Sequence, residues 1–125
     1  MKQTFKKEER LKSKKGIEEL MSGGRSVNFS PIKMIWKEGS WTGTINTKTT
    51  VAVSKKNFKK AVDRNKLKRR MREAFRKNKK ELVIRLQQRN KKINLMFIHA
   101  SKEMSDFDLI QSSMISAMNK LIKSI

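Results

Sequence analysis

The chain contains no cysteine and no tyrosine, and it has one histidine, His99, and one proline among its 125 residues. Without cysteine there can be no disulfide, thiolate metal site or cysteine nucleophile. One histidine cannot form the cluster that holds zinc or a catalytic iron. A protein-only nuclease would need clustered carboxylates or a histidine-based site, and the sequence offers neither. These absences exclude zinc fingers, zinc ribbons and the commonest hydrolytic sites.

Long hydrophobic runs are also missing. No stretch approaches the roughly 18–20 apolar residues of a membrane span. The N-terminal sequence MKQTFKKEERLKSKK lacks the apolar segment of a signal peptide. A basic protein of the membrane surface would need a helix that pairs a basic face with a broad apolar one. We therefore expect a cytoplasmic protein with no membrane partner.

Acidic residues are scarce relative to basic ones. Lysine and arginine number 32 against 11 aspartates and glutamates, which gives a net charge of +21. Such a charge opposes compaction through self-repulsion unless a polyanion is bound, so nucleic acid is the first partner to consider. The length predicts a single domain over residues 1–125. Residues 1–12 are expected to form a basic N-terminal arm, either ordered and extended or a loose tail, and we favour a tail that orders on RNA.

The first half of the chain predicts one short helix and two strands. Ser13 is a suitable N-cap for a helix that carries Ile17, Leu20 and Met21 on one face, and the pair Gly23-Gly24 would end it in the left-handed conformation. Alternation from 32 to 37, with Pro31 at its start, predicts a strand. A second strand is expected over 49–54, and residues 41–45 would lengthen a hairpin between the two.

The second half predicts a long helix, a buried strand and a closing helix. Apolar residues at spacings of three, four and seven indicate a helix over 61–88. The run INLMFIHA, residues 93–100, is typical of a strand at the centre of a sheet. Ser105 and Asp108 resemble a capping box ahead of the final helix. The prediction is an α+β fold in which a mixed sheet of three to four strands packs with three helices, in the order α-β-β-(β)-α-β-α.

Positive charge is concentrated in the predicted long helix and the residues before it. Between Lys55 and Lys80 there are 14 basic and 2 acidic residues, a net 14 − 2 = +12. A helical projection places Asn65, Arg69, Arg72 and Arg76 opposite the apolar stripe of Leu67, Met71 and Ala74, with Lys66, Arg70 and Lys77 on a flank. The arginine fork can bridge phosphate oxygens, and the Asn65 amide can read a base edge or a 2′-hydroxyl. A purely solvated face is disfavoured because so few acids are available to pair with these cations.

The segment Ala52–Phe75, AVSKKNFKKAVDRNKLKRRMREAF, resembles the signature of the bacterial ribonuclease P protein family, in which a strand ending in SKK precedes RNxxKRxxRE. Lys66 stands where that family usually has arginine. The sequence ERLKS at residues 9–13, the glycine-ended first helix, the apolar strand and the last helix also fall where the family has them. The matching signature positions are Arg64, Asn65, Lys68, Arg69, Arg72 and Glu73.

The resemblance implies a protein without catalytic or metal-binding residues of its own. It would bind a catalytic RNA that removes the 5′ leader of precursor tRNA, with Mg²⁺ held by the RNA subunit and substrate phosphates. Ribonuclease P RNA and precursor tRNA would be the partners, and DNA would not. The resemblance also implies a left-handed connection between parallel strands, against the usual right-handed rule.

Two sets of site residues follow from the resemblance by position. In the leader cleft, Ile17 and Met21 stand where the family usually has phenylalanines, and Ile35 or Trp36 would come from the first strand. Weaker stacking is therefore expected there. The positions expected to contact RNA are Arg64, Asn65, Lys66, Lys68, Arg69, Arg72, Arg76, Lys55, Lys56, Arg10 and Lys12.

Several alternatives stay open at this point. A ribosomal or RNA-chaperone protein would share the size, charge and small α+β fold. Trp36 suits core packing better than base stacking, and Trp41 suits RNA contact and local packing equally. His99 is expected to be structural. Glu73 is expected to bond neighbouring arginines, with a role in placing a metal ion as the lesser alternative.

Overall fold

The computed structural model describes residues 7–125, which form four α-helices and four β-strands. A 3-10 turn at Lys7–Glu9 precedes them. Within this range no helix is both long enough and apolar enough to cross a lipid bilayer. The elements are α1 (Lys14–Gly23), β1 (Arg25–Phe29), β2 (Ile32–Glu38), β3 (Thr47–Val53), α2 (Ala61–Asn78), α3 (Lys80–Gln88), β4 (Ile93–His99) and α4 (Phe107–Ser124).

The strands form one mixed sheet in the order β1-β2-β4-β3. Strand β2 pairs antiparallel with both β1 and β4, while β3 pairs parallel with β4 through a crossover made of α2 and α3. Strand β4 is central, as its continuous apolar run predicted. The α+β class is confirmed, and the left-handed sense of the crossover stays a prediction.

The sheet has two different faces because side chains alternate along each strand. The core face carries Met34, Trp36, Leu95 and Phe97 and packs against α2, α3 and α4. The other face, which we call the open face, carries Ile35, Ala52, Met96 and Ile98 and is only partly covered, by α1 and Leu11.

The hairpin predicted between the strands at 32–37 and 49–54, which are β2 and β3 in the structure, is wrong. Strand β2 instead forms a hairpin with β1 across the cis Ser30-Pro31 bond, and β4 lies between β2 and β3. Residues 41–45 form a loop. Strand β1 was not predicted, although Val27 and Phe29 alternate as core-facing residues and precede a proline turn.

The single helix predicted over 61–88 is interrupted at Lys79, which separates α2 from α3. The Asn78 side chain donates a hydrogen bond of 2.8 Å to the Ala74 carbonyl, which is the acceptor that the Asn78 backbone N–H would use in a continuing helix. The Lys79 side chain turns inward and forms an ion pair with Glu9. The sequence gives no signal for this interruption, because residues 61–88 contain neither proline nor glycine.

The helix ends agree with the sequence in part. Ser13 caps α1 by accepting a hydrogen bond from the Gly16 N–H at 3.2 Å. Gly24 has φ −79°, so the left-handed ending is wrong; the position needs glycine because a Cβ there would lie 2.5 Å from the Leu20 carbonyl oxygen. Asp106, rather than Ser105, caps α4 by accepting from the Leu109 N–H at 2.8 Å.

The N-terminal arm is ordered from residue 7 onward. Arg10 forms a parallel bridge with Thr49 at the edge of β3, and the Leu11 N–H donates to the Thr49 carbonyl at 2.9 Å. The Leu11 side chain is buried with 6% of its surface exposed. Of the two alternatives, the ordered arm therefore holds for residues 7–12 and the tail that orders only on RNA does not, while residues 1–6 lie outside the part that the structure describes.

Candidate nucleic-acid interface

Helix α2 packs one side against the sheet and presents cations on the other. Leu67, Met71, Ala74 and Phe75 are fully buried, as the predicted apolar stripe requires. Asn65, Lys66, Arg69 and Arg72 are exposed, and Lys68 is half-buried. Within residues 7–125, the ion pairs found do not involve Lys66, Lys68, Arg69 or Arg72. This face is therefore not neutralised by the carboxylates of the described chain.

Glu73 engages cations on its own helix, as expected. It accepts a hydrogen bond from Arg76 Nε at 3.1 Å, a second from Arg76 Nη2, and lies 4.0 Å from Lys77 Nζ. The hydrogen bond from Arg76 holds the pKa of the Glu73 carboxyl below its ordinary value and raises the pKa of Arg76. Arg76 is therefore already paired with a carboxylate of its own helix, and its contact with RNA stays a prediction.

Two arginines of α2 point toward the protein rather than solvent. Arg64 Nη1 donates to the carbonyls of Phe58 and Lys59 at 2.7 and 2.9 Å, so its guanidinium fastens the loop that precedes the helix. Arg70 Nη1 donates to the Ser105 carbonyl at 2.7 Å. A helical projection alone would place Arg64 in solvent, but its guanidinium bonds the protein, because the carbonyls that precede a helix lie within reach of its first turn.

The N-terminal arm, the β3 edge and α2 enclose a surface cavity of about 210 Å³. Three of the basic residues selected from the sequence line it together, although they are far apart along the chain: Arg10 and Lys12 from the arm, and Arg72 from α2. The rest of the lining comes from Leu11 and from Thr49, Thr50 and Val51 of β3. Three cations around one polar cavity form a site suited to an anion such as a phosphate group.

Lys55 and Lys56 are exposed in the turn after β3, at the end of the sheet where α2 begins. The Lys56 N–H bonds the Ser54 hydroxyl at 3.1 Å, which fixes this turn. The two lysines therefore follow β3 and precede α2 along the chain, and their place between the α2 cations and the cleft stays a prediction.

The open face carries apolar side chains beside α1. Strand register places Lys33, Ile98 and Ala52 side by side across β2, β4 and β3. Ile17 of α1, Ala52 and Ile98 are half-buried, and each packs against the buried cluster that includes Leu20, Ile35 and Met96. Met21 stands next to them on α1 with 56% of its surface exposed. The open face thus offers aliphatic side chains and one lysine, and a leader cleft at this place stays a prediction.

The strand residues assigned to the cleft need correction. Ile35 faces α1, but with 5% of its surface exposed it forms the floor of the cleft. Trp36 is on the opposite face, buried in the core, with the Arg25 guanidinium 5.4 Å from its ring centroid. Neighbouring strand residues must face opposite ways, so Trp36 is wrong as a cleft residue. Lys33, Ala52 and Ile98 share the open face with Ile35, and alternation along β2, β3 and β4 would have indicated them.

His99 and Trp41 have structural surroundings. His99 is fully buried, shares a 2.9 Å hydrogen bond between Nε2 and Ser105 Oγ, and meets the ring of Phe58 edge-on. Burial lowers its pKa below the ordinary value. Trp41 Nε1 donates to the Ile45 carbonyl at 2.8 Å, and its ring covers Gly39 so closely that a Cβ there would be 2.4 Å away. These contacts favour local packing for Trp41 and support the structural role expected for His99.

The comparisons with known proteins agree in pointing to one family. A family model described as Ribonuclease P matches residues 5–122. The ribonuclease P protein components of two Porphyromonas gingivalis strains are 30% identical over 119 residues, which cover 95% of this chain and 87% of each relative. The ribonuclease P protein of Staphylococcus aureus has a TM-score of 0.66 at 21% identity, with 90% of this chain and 94% of that chain covered. That of Thermotoga maritima has a TM-score of 0.62 at 23% identity, with 94% and 97% covered, so both share the fold.

Since the family model spans nearly the whole sequence and the curated relatives cover most of it, the chain belongs to the ribonuclease P protein family, whose members are protein components of a tRNA-processing ribonucleoprotein.

Proposed function

We propose that this chain binds the catalytic RNA of ribonuclease P through α2 and the N-terminal arm, and holds the 5′ leader of precursor tRNA on the open face. The observation that carries the proposal is the convergence of Arg10, Lys12 and Arg72 on one cavity. Arg72 belongs to a set of α2 cations, with Lys66, Lys68 and Arg69, that takes no part in the ion pairs found within residues 7–125. A folded RNA presents closely spaced phosphates that such a surface neutralises.

The open-face cleft suits a single-stranded leader. Its half-buried walls, Ile17, Ala52 and Ile98, offer apolar contact to nucleobases, while Lys33 and the nearby Lys55 and Lys56 offer charge to phosphates. The cleft has aliphatic rather than aromatic walls. Base stacking on an aromatic platform is worth about 1–3 kcal/mol per base, so leader affinity here should depend more on charge and van der Waals contact.

Catalysis is assigned to the RNA in this proposal. Residues 7–125 hold no group of three or more histidine, aspartate or glutamate side chains placed to bind a metal ion. Mg²⁺ held by RNA and substrate phosphates would supply the nucleophile and stabilise the leaving group. The part of the protein is to lower phosphate repulsion and position the substrate, in the cytoplasm where precursor tRNA is made.

Reconstitution tests this proposal directly. The purified protein alone should cleave no precursor tRNA; added to a bacterial ribonuclease P RNA at low Mg²⁺, it should restore release of the 5′ leader. Failure to stimulate the RNA would refute the proposal. Binding should weaken with salt with a log-log slope of several units, roughly one for each phosphate contacted.

A ribosomal RNA fragment of equal length is the matched competitor. A ribosomal or RNA-chaperone protein would bind it at least as tightly as ribonuclease P RNA. A clear preference for ribonuclease P RNA at about 150 mM salt would distinguish the proposed function from that alternative.

A further inference from the structure

The N-terminal arm is attached to the body of the protein by an ion pair on its inner side. Glu9 pairs with Lys79, the residue between α2 and α3, and the two side chains have only 14% and 5% of their surface exposed. The pair borders a second cavity, of about 170 Å³, that is also lined by residues 44–47 of the β2–β3 segment and by Val83 and Gln87 of α3. Buried charges are tolerated only when they are paired, so Glu9 has a specific place.

The next three residues of the arm reach the anion cavity. Directly after Glu9, Arg10 forms its bridge with Thr49, Leu11 is buried, and Lys12 lines the cavity together with Arg10 and Arg72. An extended chain advances about 3.3 Å per residue, so a fixed Glu9 limits where Arg10 and Lys12 can lie. The ion pair and the cavity are therefore two ends of one short docked segment.

We propose that Glu9 and Lys79 are positioning residues for RNA binding, because their ion pair holds the arm so that Arg10 and Lys12 face the same phosphate as Arg72. This inference rests on the proposed function and deepens it. It also leads to an effect of unusual sign: a carboxylate in a protein of charge +21 promotes binding to a polyanion. Simple electrostatics gives the opposite result, since removal of a negative charge strengthens attraction to RNA.

The test compares Glu9→Gln with Glu81→Gln, each of which removes one negative charge. Glu81 is exposed in the first turn of α3, two residues from Lys79, so it controls for the change in local potential. Binding of each variant to ribonuclease P RNA is measured between about 50 and 200 mM salt. We expect Glu9→Gln to bind about tenfold more weakly and to lose one to two units of salt slope, and Glu81→Gln to bind as tightly as the parent or more tightly.

Combined substitutions show whether Glu9 acts on RNA binding through Arg10 and Lys12. Arg10→Ala combined with Lys12→Ala should reproduce the loss seen with Glu9→Gln, and adding Glu9→Gln to that double variant should cause little further loss. Equal losses from Glu9→Gln in the two backgrounds, or unchanged binding by Glu9→Gln alone, would overturn the proposal.

Hydrogen exchange separates arm release from general unfolding and needs no RNA. The Leu11 N–H, bonded to the Thr49 carbonyl, should lose protection in Glu9→Gln while amides of α4 keep theirs. Retained protection at Leu11 would overturn the proposal, as would equal loss in both places. If the parent protein also fails to bind ribonuclease P RNA, the proposed function fails, whereas selective loss at Leu11 still supports the anchoring role of Glu9.

Discussion

Arg64 and Arg72 lie two turns apart on α2 and carry the same charge, but substitution by alanine should have different effects. Arg64→Ala should lower the stability of the fold, and Arg72→Ala should weaken RNA binding. Arg64 donates two hydrogen bonds to the carbonyls of Phe58 and Lys59, whereas Arg72 is exposed and lines the anion cavity. Loss of hydrogen bonds from a charged donor at a partly exposed site costs about 1–2 kcal/mol in total. Arg64→Ala should therefore lower the melting temperature by roughly 4–8 °C for a domain of this size.

Arg72→Ala should leave the free energy of unfolding within about 0.5 kcal/mol of the parent, because it removes an exposed side chain. Its effect should appear in RNA titrations, where the log-log salt slope should decrease by about one unit. Thermal unfolding and salt-dependent binding measured on both variants separate the two roles. A melting temperature for Arg72→Ala as low as that of Arg64→Ala, or parental stability for Arg64→Ala, would refute this reasoning.

Three further results are expected. Met21→Asp should weaken binding of precursor tRNA but not of leaderless tRNA, with Met21→Leu as control; equal losses for the two RNAs would contradict the cleft assignment. Leu20→Ala, at a fully buried contact between α1 and the sheet, should cost about 2–4 kcal/mol in urea unfolding, and a negligible cost would mean that α1 is not packed there. Burial lowers the pKa of His99 below 6.5 in the folded chain. Below pH 6.5 the unfolded chain therefore binds a proton at His99 more readily than the folded chain does, and the free energy of unfolding should fall as the pH is lowered. His99→Gln should flatten this decline between about pH 6.5 and 5, and an unchanged decline would assign it to other groups.

Strong periodicity made the central elements predictable. The buried stripe of α2, the central position of β4 and the Ser13 cap each depend on patterns within a few turns of chain. Strand β1 escaped prediction because its five residues, RSVNF, include only two large apolar side chains. The sequence analysis also paired β2 with β3, and that pairing is ruled out only once β4 is known to lie between them.

The sequence predicted which residues belong to the candidate site better than it predicted how they are arranged in space. The sequence selected Arg10, Lys12 and Arg72 as RNA contacts with the help of the family resemblance, but their convergence depends on the docked arm, and docking depends on Glu9 meeting a lysine 70 residues away. Trp36 and Ile35 were interchangeable in sequence because both are large and apolar, and strand pairing decided which one faces α1. Arg64 looked exposed in a helical projection because a projection omits the loop that precedes the helix.

The parallel crossover from β3 to β4 has a consequence for how the protein reaches its native state. The two strands are separated along the chain by residues 54–92, which include the whole +12 region, and this segment must fold back over the sheet for them to pair. Distant strand pairing is slow in itself, and here mutual repulsion raises the barrier further. Dissolved multivalent anions such as sulfate should screen this repulsion and therefore speed refolding, at the same ionic strengths that lower the affinity for RNA.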